Sequence, residues 1–92
     1  MEINMNQYEH KHQDITVTEE EENLIVFNLR NGTVSRLNSI GKMIWTNIPD
    51  KNIDEIIDLI VEKYDAEREQ VNKDVKKFVD GLINADLIVA KH

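Results

Sequence analysis

The chain has 92 residues, a formal net charge of −7, 40% hydrophobic residues and no cysteine. That length makes one domain, burying about 60–65% of the surface its unfolded chain exposes. Without cysteine, neither a disulfide nor a thiolate metal site can staple the fold, which fits a reducing compartment. The longest apolar run, Leu87-Ile88-Val89-Ala90, is far too short to cross a bilayer, and no apolar signal core opens the chain, so a cytoplasmic protein without membrane attachment is expected.

Residues 1–13 have no periodicity and little to bury, and read as a flexible tail ahead of a domain at 14–90. The charge is uneven. Residues 1–22 carry seven acids against Lys11 alone, whereas the rest is almost balanced. Asp14-Ile15-Thr16-Val17-Thr18 alternates polar and apolar with β-branched residues and predicts a strand. Glu19 to Asn23 is a charged connection, and Leu24 to Arg30 is a second strand apolar enough on both faces to be central. Asn31-Gly32 predicts a two-residue type I′ turn into a third strand, Thr33 to Asn38. That turn sets Arg30 opposite Thr33, Leu29 opposite Val34 and Val26 opposite Leu37. Ile25, Phe27, Leu29 and Val34 then share one sheet face, with Leu24, Val26 and Leu37 on the other. Helices cover one face, and the second apolar set would need cover from loops or the tail.

The period then changes to that of helices. Ser39 is the expected cap of a first helix through Ile40, Met43, Ile44, Trp45 and Ile48, ended by Pro49. Asn52 with Glu55 forms a capping box for a second, whose stripe is Ile53, Ile56, Ile57, Ile60, Val61 and Tyr64. A third runs from about Arg68 to Ala85 with Val71, Val75, Phe78, Val79, Leu82 and Ile83 inward, and Leu87 to Ala90 ends as a short extended segment. The expected class is α+β: a three-stranded antiparallel β-meander followed by three helices, like a winged helix-turn-helix.

Chemistry is sparse. His10, His12 and His92 all fall in expected tails, where no rigid acid–base or metal site can be built. Asp54, Asp58 and Glu62 form an ordinary wetted row. Gly32, Gly41 and Gly81 supply no phosphate-cradling loop. The winged-helix order raises DNA binding, but the segment from Glu67 to Asp86 has five acids against four bases and is poorly equipped to neutralise phosphates, which leaves a winged-helix DNA-binding regulator as the less favoured alternative. Neither an enzyme, a cofactor, a metal nor a nucleic-acid partner is expected.

What remains is the third strand. With the middle strand central, Thr33, Val34, Ser35, Arg36 and Leu37 lie at an edge with unpaired backbone groups and little protection. An extended peptide can pair with such an edge, while Val71, Asp74, Val75, Lys77 and Phe78 of the last helix form the other wall of a groove. An open edge also invites self-pairing, so a homodimer is left open.

The segment Leu37-Asn38-Ser39-Ile40-Gly41-Lys42-Met43-Ile44-Trp45 resembles the signature of the PqqD-like family, the RiPP recognition elements, where the third strand enters the first helix as Leu-Asn, two residues, Gly, two residues and an aliphatic-Trp pair. The resemblance continues through the Ile-rich second helix ending in Tyr64-Asp65, then Val71, Asp74-Val75, Phe78-Val79 and Leu82. It departs in two loops. Pro49 to Asn52 lacks the Gly often found there, and Ala85-Asp86 stands where a Gly often precedes the final aliphatic pair. The resemblance implies a scaffold that takes the leader of a ribosomally made precursor as a fourth strand beside Thr33 to Leu37. It would present the rest to a leader peptidase, cyclase or other modifying enzyme, as in lasso-peptide pathways, which are favoured. The alternative it implies is a peptide chaperone for a radical enzyme, as in pyrroloquinoline quinone synthesis. Under this resemblance Gly41 permits close packing of the first helix and Trp45 anchors it.

Overall fold

The computed structural model describes residues 7–11 and 13–90. In chain order the elements are β1 (Tyr8–His10), β2 (Ile15–Glu20), β3 (Asn23–Asn28), β4 (Thr33–Leu37), α1 (Ser39–Asn47), α2 (Ile53–Tyr64), α3 (Arg68–Asn84) and β5 (Ile88–Ala90). Strands β2, β3 and β4 form an antiparallel sheet with β3 in the middle, and β1 pairs with β5 in a second, two-stranded sheet. The α+β class is as expected. The second sheet is not.

The alternation in β3 decides which side of the sheet is covered. Leu24, Val26 and Asn28 point to the helices, and Leu37, opposite Leu24, joins them. Against this face pack Ile44, Trp45 and Ile48 of the first helical segment, Ile56, Ile57 and Ile60 of α2, and Val75, Val79 and Leu82 of α3. Each fully buried aliphatic side chain contributes about 1.5–3 kcal/mol. On the far face Ile25 is flanked by Thr18 and Arg36, which lie directly opposite it, and Arg36 reaches Glu20 at 3.1 Å. Val34 and Leu29 stay more than half exposed, so the described residues do not supply the cover expected for that face.

The hairpin between β3 and β4 corrects the expected register. Leu24 faces Leu37, Phe27 faces Val34 and Asn28 faces Thr33, so four residues, Leu29 to Gly32, make the connection. Only Gly32 has positive φ (71°); Asn31 does not, and the type I′ turn does not form. The cause is Asn28, which is buried. Its Oδ1 accepts the Arg30 N–H (3.0 Å) and its Nδ2 donates to the Ala85 carbonyl (3.1 Å). A buried amide must be satisfied, and this one is satisfied only if the chain turns out of the ladder right after it. The slip is of two residues, so every side chain keeps its face.

Two smaller corrections follow from caps and turns. Asn38, not Ser39, caps α1, its Oδ1 accepting the Gly41 N–H at 2.9 Å. Glu19 and Glu20 belong to β2, and the connection to β3 shrinks to Glu21-Glu22, with Glu21 at φ 58°. The Asn52–Glu55 capping box forms as read, and Asp65 ends α2 in the left-handed region at φ 49°.

The expectation of an unstructured 1–13 does not hold for Tyr8 to Lys11. Tyr8 pairs with Ala90 and His10 with Ile88, and the Lys11 N–H donates to the Leu87 carbonyl (2.9 Å). Tyr8 packs against the core, and the Lys11 ammonium bonds the Asp86 carboxylate. His10, placed in a tail by the sequence, stacks on Trp45 with ring centroids 4.0 Å apart and donates from Nε2 to the Trp45 carbonyl oxygen at 2.7 Å. The signal was faint, because three residues against another three-residue strand leave no periodicity to read. His12 and His92 lie outside the described residues.

Candidate functional site

Strand β4 forms one border of the candidate site. It pairs with β3 on one side, and among the described residues no strand pairs with its other side. Its side chains alternate in the usual way. Thr33, Ser35 and Leu37 share the helix-facing side with Leu24 and Val26, while Val34 and Arg36 point to the uncovered face. Leu37 is buried, Ser35 half-buried, and Thr33, Val34 and Arg36 are exposed. The strand has neither a proline nor a bulge, and its one charged side chain, Arg36, turns back to Glu20. Its outer backbone is the kind of rim that a further strand can extend.

Where β4 ends, a groove begins. Asn38, Ile40 and Gly41 form its near wall, Ile60 and Tyr64 its end, and one flank of α3 its far wall, enclosing about 490 Å³. Of the residues singled out on the last helix, Val71, Asp74, Val75 and Phe78 line it. Val71 and Val75 are buried and serve as floor and core at once, and Phe78 is half-buried. Lys77 is exposed and does not line the groove, nor do Thr33 to Leu37, of which Leu37 lies beside the lining residue Gly41. The structure thus brings together four of the five helical residues and ties them, around Gly41, to the Leu37 end of β4.

The depth of the groove depends on Gly41. A Cβ there would stand 3.0 Å from Phe78 Cζ and 3.2 Å from Leu37 Cβ, so the absence of a side chain lets the Phe78 ring bridge the start of α1 and the end of β4. Phe78 closes the floor while leaving room beyond it for a guest.

Sequence reasoning missed the other end. Ile40 and Tyr64 belong to apolar stripes and read as core, yet they are 39% and 40% exposed and flank the opening. A helical stripe records which way a side chain points, not whether another element reaches it. Glu67 and Gln70 also line the groove, and nothing in their spacing marks them.

The charges at the groove are one-sided. Glu67 and Asp74 are its ionisable carboxylates, and it is lined by no Lys, Arg or His. Asp74 Oδ1 accepts from Gln70 Nε2 at 3.0 Å, a neutral partner, and Glu67 makes no side-chain cap bond to α3. Elsewhere Asp86 is held below the usual carboxylate range by its hydrogen bond from Lys11. Among the described residues, no three His, Cys, Asp or Glu side chains lie where they could hold a metal ion, and no helix is long and apolar enough to cross a membrane.

This arrangement can hold an extended chain but offers no nucleophile paired with a base. Two solved structures share the fold. One is TbiB1 in complex with the TbiA(beta) leader peptide, 24% identical with a TM-score of 0.77, the match covering 88% of this chain and 95% of that one. The other is lasso peptide synthetase B1 complexed with the leader peptide, 17% identical with a TM-score of 0.80, covering 90% and 98%. At these identities the likeness is one of fold. No curated protein sequence matches significantly. The family model described as coenzyme PQQ synthesis protein D (PqqD) matches residues 23–88, from the start of β3 to the first residue of β5, and the chain therefore belongs to the PqqD family.

Proposed function

We propose that the protein is a non-catalytic recognition element that binds the leader of a ribosomally made precursor peptide as an added strand. The leader lies along the outer rim of β4, with the α3 flank as the opposite wall, and the remainder of the precursor is presented to a processing enzyme. The observation that carries this reading is the juxtaposition of an unextended β4 rim with the apolar groove floored by Val71, Val75 and Phe78. Main-chain bonds to the rim supply affinity that depends little on sequence, and alternate side chains entering the groove supply selection. The two leader-peptide complexes that share the fold support the same reading.

The partner enzyme is proposed to be a leader peptidase or cyclase of a lasso-type pathway, in keeping with the fold relative that is a lasso peptide synthetase B1. The domain is proposed to span 14–90, with β1 as an added clasp, and to act in the cytoplasm. Leader ordering consumes part of the contact energy, so dissociation constants between nanomolar and micromolar are expected, about −12 to −8 kcal/mol.

The test is amide hydrogen exchange with synthetic leader peptides of ribosomally made precursors. Slowed exchange at alternate amides of Thr33 to Leu37, with none in β2, is the expected result. Binding that leaves the β4 amides unprotected would overturn the strand-addition account.

A further inference from the structure

Resting on the reading above, we infer that the groove selects a peptide carrying a bulky apolar residue with a Lys or Arg two positions away from it in sequence. The argument starts from the chemistry of the lining. The floor is apolar, built from Ile44, Ile60, Val71, Val75 and Phe78, and the lining contains the carboxylates of Glu67 and Asp74 without any basic side chain to balance them. Arg68 bonds Asp58, Lys42 bonds Glu19, Lys63 lies over the Tyr64 ring at 5.8 Å from its centroid, and none of these nor Lys77 lines the groove. A guest without positive charge would bring its polar groups to two unneutralised carboxylates. A guest with a cation would supply the missing partner.

Spacing fixes where that cation must be. Glu67 and Asp74 are two helical turns apart, about 10 Å along α3. Alternate residues of an extended peptide point the same way and repeat every 6.5–7 Å or so. An apolar side chain seated between the carboxylates therefore places residues two before and two after it about 6.5–7 Å away, on the groove side. A Lys or Arg at either position reaches one carboxylate with its aliphatic stem still against the floor. The groove volume of about 490 Å³ has room for such a pair of side chains.

The test is selection from a display library of random twelve-residue peptides on the whole protein, followed by titration of resynthesised winners. Enrichment of an apolar residue with Lys or Arg two positions away is expected, with about three- to tenfold weaker binding when that base becomes Gln. The preference should shrink in 0.5 M salt and vanish in the Glu67→Gln, Asp74→Asn double variant. It should persist in an Asp54→Asn, Glu62→Gln control, which removes the same charge from exposed α2 positions outside the groove. Winners that protect β4 amides but show no basic preference, or keep it in the Glu67→Gln, Asp74→Asn variant, overturn the charge inference and leave strand addition standing. Winners that bind without engaging β4, or no enrichment at all, overturn both.

Discussion

Phe78 lies so closely over Gly41 that a β-carbon at that glycine would stand 3.0 Å from the ring's Cζ and 3.2 Å from Leu37 Cβ. This contact joins the last helix to the junction of β4 and α1. Gly41→Ala gains about 1 kcal/mol of helix propensity. It also forces either the half-buried ring or the buried Leu37 to shift, an overpacking cost of about 1–3 kcal/mol. A net loss of about 1 kcal/mol in denaturant unfolding is expected, with a larger loss for Gly41→Val. Gly81 is the internal control. It sits in α3 with open space for 4 Å around the place a β-carbon would take, so Gly81→Ala should stabilise by about 1 kcal/mol. If both substitutions shift unfolding in the same direction, the close approach at Gly41 is not what the helix requires.

Trp45 carries a second contact of this kind. It is buried, belongs to the core, and receives the His10 ring at 4.0 Å. Trp45→Ala should cost about 3–5 kcal/mol, from lost burial and the cavity left behind. His10→Ala should cost about 1 kcal/mol, for the stack and the hydrogen bond to the Trp45 carbonyl. Because the stack needs both rings, the double variant should be less destabilised than the two losses combined. Strict additivity in that cycle would mean that the ring stack does not help to hold β1.

The sequence announced the helices more clearly than the strands, for a physical reason. Asn52 with Glu55, the Ile53 to Tyr64 stripe and the Val71 to Ile83 stripe are each local signals, complete within a few turns, and the helices appear as read, except that the last member of each stripe, Tyr64 and Ile83, is 40% exposed and not inward. The hairpin looked equally local, but its register is set by Ala85, far along the chain, whose carbonyl takes the Asn28 amide. A turn dipeptide could not report that demand. The β1–β5 pair is likewise a long-range partnership of two short strands. At the site, the β4 edge and the α3 flank were legible because edge position follows from strand order and the flank from helical spacing. Tyr64, Ile40 and Glu67 were not, since the space they border exists only once three helices are placed.

The clasp made by β1 should respond to acid. Asp86 is held below the usual carboxylate range by the hydrogen bond from Lys11. A depressed carboxylate contributes stability at pH values above its unfolded value, and that contribution is lost as pH falls through the lower, folded value. Exchange at the amides of Glu9 and Val89, which face each other, should therefore quicken as pH drops below about 4, relative to amides of β3 and after correction for intrinsic exchange. Asp86→Asn should remove the pH response. The pair is more than a third exposed, so global unfolding should shift little. An unchanged response in Asp86→Asn would assign the acid sensitivity to another group.

Charge reversals on α3 separate recognition from folding. Asp74 and Lys77 are both exposed, and neither makes an ion pair among the described residues, so Asp74→Lys and Lys77→Glu should each leave stability within about 0.5 kcal/mol of the parent. Their effects on peptide binding should differ, because Asp74 lines the groove and Lys77 lies beyond it. For a peptide with the apolar-x-basic pattern, Asp74→Lys both removes a partner and adds a like charge facing the guest, and should weaken binding about tenfold or more. Lys77→Glu acts only through the longer-range field, and should tighten binding slightly at low salt and not at all at 0.5 M, where charges beyond several ångströms are screened. Melting curves and titrations on the same two proteins give the answer. Equal losses of affinity would place the guest along the whole exposed side of α3 instead of in the groove that ends at Tyr64, and a loss of stability in either would return that residue to the fold.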